Sequence, residues 1–325
     1  MKRIVCIALM LALMLSLTAC NTNNLAEYKN ALEKTEQITK GQTQVEFSSN
    51  VDINTEGMSA ETIRELNYYK DMKGSFNVSF DEEAEKSIFR SYINFGGLGF
   101  DYDLYFNGGE IIMKLPVAGK YMKLNELNNP SAAEESKLNG EIISESTMKA
   151  ISEKWVELMN EENVFRGKDI ILTTPDGEVK TSEYTIALSS QQIKSLFSDS
   201  ADSISKDPDL KRLYDEYRAK ENKLSFEESI KLLRDNAEKY SVENFKYVAL
   251  VDIDGYIVSE DIEFHIKAAE ESLIIREVDY KLNVKNWDIN KEQVFDFPVL
   301  NDKNTIKADN SEEIPDVMKS LFDKE

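Results

Sequence analysis

The chain has 325 residues, 41% of them hydrophobic, and carries 60 acidic against 39 basic side chains for a formal charge of −21. That length is enough to bury a sizeable core. Such a charge excludes nucleic acid as a partner and electrostatic adhesion to anionic headgroups, because the surface repels phosphate; the acidity itself reads as a solubility feature.

The first element is a processing signal. Met1-Lys2-Arg3 is basic, Ile4 to Leu15 is almost unbroken apolar sequence, and small residues lead to Cys20, which is the layout of an exported precursor. A membrane-crossing helix needs about 20 apolar residues; this run is shorter and ends in Asn21-Thr22-Asn23-Asn24. Leu17-Thr18-Ala19-Cys20 resembles the lipobox of bacterial lipoproteins. The resemblance implies that residues 1–19 are a cleaved signal peptide and that Cys20 becomes the first mature residue, the site of lipid attachment carrying N-palmitoyl and S-diacylglycerol groups. The expected location is the extracytoplasmic face of the cell membrane, with Cys20 as the link to the bilayer. Cys6 leaves with the signal, so Cys20 has no partner for an internal disulfide and stability must come from the core.

Leu25, Tyr28, Leu32 and Ile38 fall on one helical face, and Gly41 ends that pattern. From Gln44 the period becomes two: Val45, Phe47, Val51 and Ile53 alternate with polar neighbours. The alternation returns through Phe76, Val78 and Phe80, through Phe89, Ile93 and Phe95, and through Phe100, Tyr102, Leu104 and Phe106, predicting half-buried antiparallel strands. Gly96-Gly97-Leu98-Gly99 leads into strand-like sequence, not the helix a phosphate loop opens, and reads as a bend or bulge. Asn107-Gly108, Asp176-Gly177 and Asp254-Gly255 predict tight hairpins in a meander. Helical stripes follow at Met148, Ile151, Trp155 and Leu158, at Leu210, Leu213 and Tyr217, and at Phe226, Ile230, Leu233, Ala237 and Tyr240. Residues 189–243 thus form a helical excursion inserted into the sheet. Late strands are predicted at 245–253, 256–266, 272–285 and 293–297, where Pro298 limits further pairing. Residues 301–325 read as a polar linker and a short helix built on Ile314, Val317, Met318, Leu321 and Phe322.

Several stretches resemble one family. Asp103-Leu104-Tyr105-Phe106-Asn107-Gly108-Gly109, then Ile111 to Pro116, then Lys120 to Leu124, is similar to the hairpin of Gram-positive lipoproteins related to the LolA and LppX group. Tyr184 to Ser189, leading to Ile193 and Leu196, resembles that group's second-half strand and helix; Val251 to Ile257, with long strands to Trp287, resembles its closing hairpin. The resemblance covers residues 24–298. It implies an α+β fold in which a strongly curved antiparallel sheet, an unclosed LolA-like barrel, has helices packed against its concave face, with 20–300 as a single domain. It further implies a lipid or other apolar ligand between sheet and helices. Tyr121 departs from the tryptophan common at that point of the hairpin. The long charged excursion departs too, which points to a plug in the cavity rather than a gate.

Catalytic and metal chemistry find little footing. His265 is the sole histidine, on a predicted strand where alternation with Ile262, Phe264 and Ile266 assigns it a surface or edge position. One histidine and no thiol beyond Cys20 do not make a zinc or soft-metal site. No G-x-S-x-G elbow is present. Asp252-Ile253-Asp254-Gly255 lacks the later ligands of a calcium loop, since Tyr256 and Ile257 follow, and reads as a turn. Asp81-Glu82-Glu83 and Glu161-Glu162 read as solvated turns. The expectation is a non-enzymatic lipoprotein without metal or cofactor, binding a lipid or apolar ligand through residues the sequence does not single out. The alternative is a cell-surface structural or protein-interaction lipoprotein without a small ligand. A transporter-associated solute receptor ranks below both, because the βαβ alternation of its two lobes is missing. A continuous apolar pocket between sheet and helices favours the first reading; a filled core favours the second.

Overall fold

Asn23 opens the first helix, α1 (Asn24–Thr35): its side chain accepts the Ala26 amide at 2.9 Å and satisfies one of the donors a helix start leaves free. The computed structural model describes residues 23–116, 118–124, 143–217 and 224–306. Cys20 with its signal segment, and the helix expected at 314–322, lie outside them. The α1 face carrying Tyr28 and Ala31 is buried, and the helix ends before Gly41, as its apolar spacing predicts.

Alternating sequence then builds β1 (Lys40–Ile53), β2 (Asp71–Asp81), β3 (Lys86–Phe95), β4 (Leu98–Asn107), β5 (Glu110–Lys114) and β6 (Tyr121–Lys123), with a short helix α2 (Ala60–Asn67) between β1 and β2. The helix α3 (Glu145–Glu157) precedes β7 (Val164–Thr174) and β8 (Gly177–Ile186). Then come α4 (Ser190–Ile204), α5 (Pro208–Tyr217) and α6 (Phe226–Ala237), and finally β9 (Tyr240–Asp252), β10 (Ile257–Ala268) and β11 (Ile275–Trp287). The eleven strands of the described residues form one antiparallel sheet in the order β6-β5-β4-β3-β2-β1-β11-β10-β9-β8-β7. Its ends, β6 and β7, do not pair, so the sheet is an unclosed barrel with helices against one face.

That order explains where the helices lie. The chain runs outward from central β1 to edge β6, crosses to the opposite edge at β7, and returns inward to β11 beside β1. The crossing brings in α3. The excursion α4–α6 leaves β8 and returns to its sheet neighbour β9, so it folds over the same half of the sheet. Three of these helices have a serine start: Ser144 caps α3, while Ser189 and Ser225 form capping boxes with Gln192 and Glu228 at α4 and α6.

Register sorts the side chains by face. Paired residues share a face, so Ile262 with Leu282, Leu282 with Phe47, and Val45 with Phe76 place one apolar layer inside. Phe47, Phe76 and Phe89 stack across three strands at 5.5 and 5.3 Å. The main core gathers Tyr28, Ala31, Met159, Val164, Tyr184, Ile186, Tyr247, Ala249 and Ile257 where α1 meets β7–β10.

Several local expectations change. Gly96 and Gly97, with φ of 53° and 93°, are the two-residue turn between β3 and β4, not a bulge. Tyr240 begins β9; the α6 stripe stops at Ala237. Residues 293–297 are not a strand; Phe295 and Phe297 instead leave the ladder and pack on Ile88, Tyr105 and Ile112. Residues 301–306, expected in a polar linker, dock on β6: Ile306 is 2% exposed and its amide donates to Tyr121 O at 2.8 Å. Tyr121 itself packs edge-on against Tyr105 at 6.1 Å. His265 faces outward as expected but is not at an edge, because β10 lies between β9 and β11; its Nδ1 sits 2.9 Å from Asp279 Oδ1.

Candidate binding cavity

Between the helices and the inner face of β9–β11 lies a cavity of about 1490 Å³. That exceeds the roughly 300–1,000 Å³ of ordinary small-ligand sites. Alternation on β10 supplies Ile262, Phe264 and Ile266 as floor, with Val242 and Phe245 from β9 and Val278 from β11 beside them. Helical spacing supplies the walls: Ile151 and Trp155 from α3, Ile193 and Leu196 from α4, Leu233 and Ala237 from α6. The helical stripes of the sequence are therefore cavity walls. The excursion does not plug the space; its helices enclose it.

The cavity opens to solvent at one end. Met148, Phe197, Leu233 and Ile274 line it yet remain 52%, 43%, 50% and 58% exposed. Solitary exposed apolar side chains are ordinary, but this many converging on one opening mark a binding mouth. The closed end abuts the main core, where Trp155, Phe245 and Ile262 pack against its buried members.

One charged group sits at that closed end. Glu260 lies on β10 in phase with Ile262, Phe264 and Ile266 and lines the cavity. Tyr28 Oη donates to Tyr247 Oη at 2.8 Å, and Tyr247 Oη donates in turn to Glu260 Oε1. The chain of hydroxyls therefore ends on the carboxylate. Burial raises the Glu260 carboxyl above its usual range, while the Tyr247 hydrogen bond pulls the other way. Burial likewise raises both tyrosines, Tyr247 further by the nearby Glu260 charge. The indole of Trp155 lies 5.1 Å from the Tyr247 ring, so aromatic surface faces the same point.

None of Tyr28, Tyr247 and Glu260 stood out as functional residues in the sequence. The signal for Glu260 was present, as an acid in phase with an apolar stripe. Its meaning depended on knowing that the stripe faces a space. The Asp252 to Gly255 segment is the β9–β10 turn, with Asp252 Oδ1 accepting the Tyr256 amide at 2.8 Å. Among the described residues, no group of three or more His, Cys, Asp or Glu is arranged to hold a metal ion.

No protein-family model and no curated protein matches the chain. Solved structures do. The lipoprotein LppX of Mycobacterium tuberculosis is 11% identical, with a TM-score of 0.32 over 85% of this chain and all of the other. A LolA superfamily protein from Nitrosomonas europaea is 8% identical, with a TM-score of 0.20 over 83% of this chain and 94% of the other. Both belong to the group that the hairpin residues resemble. At such identities no residue role passes from those proteins to this chain.

Proposed function

We propose that this protein is a membrane-anchored, extracytoplasmic, non-enzymatic lipoprotein that holds a lipid or other apolar ligand between sheet and helices. The observation that carries the reading is the cavity itself: about 1490 Å³ of space with apolar walls, open at one end and left unfilled by the excursion. An apolar concavity of this size, with exposed apolar side chains at its opening, is the form that ligand sites take. The anchor reading rests on Cys20 and its preceding segment; with α1 beginning at Asn24, such an anchor would hold the domain close to the bilayer. Cys20→Ala is expected to release the protein from the membrane fraction or to leave the precursor uncleaved; unchanged fractionation and migration would count against lipidation.

The function itself is tested by native mass spectrometry of the chain starting at Asn21 after incubation with membrane extract. A lipid retained at one equivalent supports the reading, and recovery of bare protein at every lipid concentration overturns it. The protein-contact alternative draws on β7, a sheet edge with Phe165 and Ile171 exposed. That edge is already blunted by the β-bulge between Arg166 and Asp169 and by neighbouring charges, as edges that avoid partners are.

A further inference from the structure

We propose that Glu260 is a receptor for a cationic, amine-type head group, so that the cavity takes an amphiphile amine end first with its chain trailing to the mouth. The proposal rests on the cavity being a ligand site and names the ligand's chemistry.

The geometry has three parts. Glu260 sits at the closed end, and the β10 residues in phase with it run from there through Ile262 and Phe264 to Ile266 near the mouth. At strand rise that is about 20 Å of apolar floor beyond the carboxylate, the shape of a chain-binding slot with a polar terminus. The second part is unfilled valence. Tyr247 occupies Glu260 Oε1, and a carboxylate can accept several more hydrogen bonds. Among the described residues, Glu260 forms no ion pair within 4 Å, and burial and the Tyr247 hydroxyl act on its carboxyl in opposite directions. A carboxylate facing an apolar space without a counter-ion is costly, and a bound cation removes that cost. The third part is aromatic surface beside the carboxylate: Tyr247, bonded to Glu260, and Trp155, whose ring lies 5.1 Å from that of Tyr247, both line the cavity. Ring faces attract an ammonium group and do nothing comparable for an anion.

Burial works against the charge on Glu260, the Tyr247 hydroxyl works for it, and a bound ammonium would favour the ionised form further. The basic cavity residues Lys194, Lys231 and Arg234 belong to α4 and α6, and Arg234 is already paired with Asp202. None of the three forms an ion pair with Glu260.

The test uses three probes with the same chain: decylamine, decanol and decanoate, titrated by calorimetry into the full-length protein exchanged out of detergent. Decylamine is expected to bind about tenfold more tightly than decanol, with decanoate weakest. In Glu260→Gln, which keeps the shape and removes the charge, the preference for decylamine over decanol should vanish while decanol affinity holds. Decanoate or decanol binding as tightly as decylamine to the unaltered protein overturns the head-group assignment and leaves the apolar-ligand reading standing. Failure of all three probes to bind overturns both. The comparison among probes on the unaltered chain decides the matter even if the variant folds poorly.

Discussion

The Asp207 carboxylate, 1% exposed, accepts hydrogen bonds from Ser144 N at 3.0 Å, Ser144 Oγ at 2.7 Å, Asp209 N at 3.0 Å and Leu210 N at 2.9 Å. One residue thereby caps α5 and ties its start to the start of α3. Pro208 fits beside it as the first residue of α5, where no amide donor is needed. Burial alone would raise the carboxyl, but the donors from Leu210 and Ser144 outweigh it and hold it near 2. The folded value lies below the unfolded one, so the stabilisation is fully present above the unfolded pKa of about 3.9 and is lost as pH falls through that value toward 2. Asp207→Asn is expected to cost about 2 kcal/mol at neutral pH in urea unfolding, with the difference from the parent shrinking in the acid range. A deficit that stays constant down to pH 2 would assign the effect to geometry and not to charge. Neither Asp207 nor Glu260 was legible as special in the sequence: each is one acid among 60, distinguished only by what folds around it.

Elements with one buried face were legible in the sequence. The alternation of Val45, Phe47 and Val51 gave β1, and the spacing of Ile151 and Trp155 gave α3, because a period shows only when one side meets a core and the other meets water. The elements that escaped lack that contrast. In α2 no residue is buried, so Ser59 at its cap had no apolar stripe to announce. β7 is exposed along most of its length, since it is an edge whose partner lies on one side alone. The Gly96-Gly97 turn was misread for a different reason: glycine pairs serve bulges and hairpins equally, and the pairing of Phe95 with Leu98 settles which. There Gly96 also approaches the α2 end closely, as a Cβ at this position would lie 2.8 Å from Tyr68 Cα. Strand order was beyond local sequence altogether, because the pairing of β1 with β11 joins Gln42 to Trp287 across most of the chain.

At the scale of the molecule, the topology assigns unequal duties to the two halves of one sheet. Helices α3, α4 and α6 stand over β9–β11 and enclose the cavity, while the same apolar face continues past Leu282 onto the Phe47, Phe76 and Phe89 ladder, whose residues are half-buried. A sheet that closed would bury this face against itself; the open edges at β6 and β7 keep the barrel wide enough for helices and an occupant. The cavity is then a feature of architecture, separable from stability, and a plug should show it. Ile266 lines the cavity on β10, opposite Val242 and Val278 on its neighbours. Ile266→Trp would place an indole into empty space, not into packed atoms, so the overpacking cost of about 1–3 kcal/mol seen in dense cores should not arise. The expected result is a melting temperature equal to or above that of the empty parent, together with loss of lipid retention in native mass spectrometry. Ligand should raise the melting temperature of the parent and leave that of the plugged variant unmoved, because only a ligand that binds the folded state shifts its stability. A plugged variant that melts well below the parent would mean that the space is filled in solution by the protein's own rearrangement, and the carrier reading would fall with it.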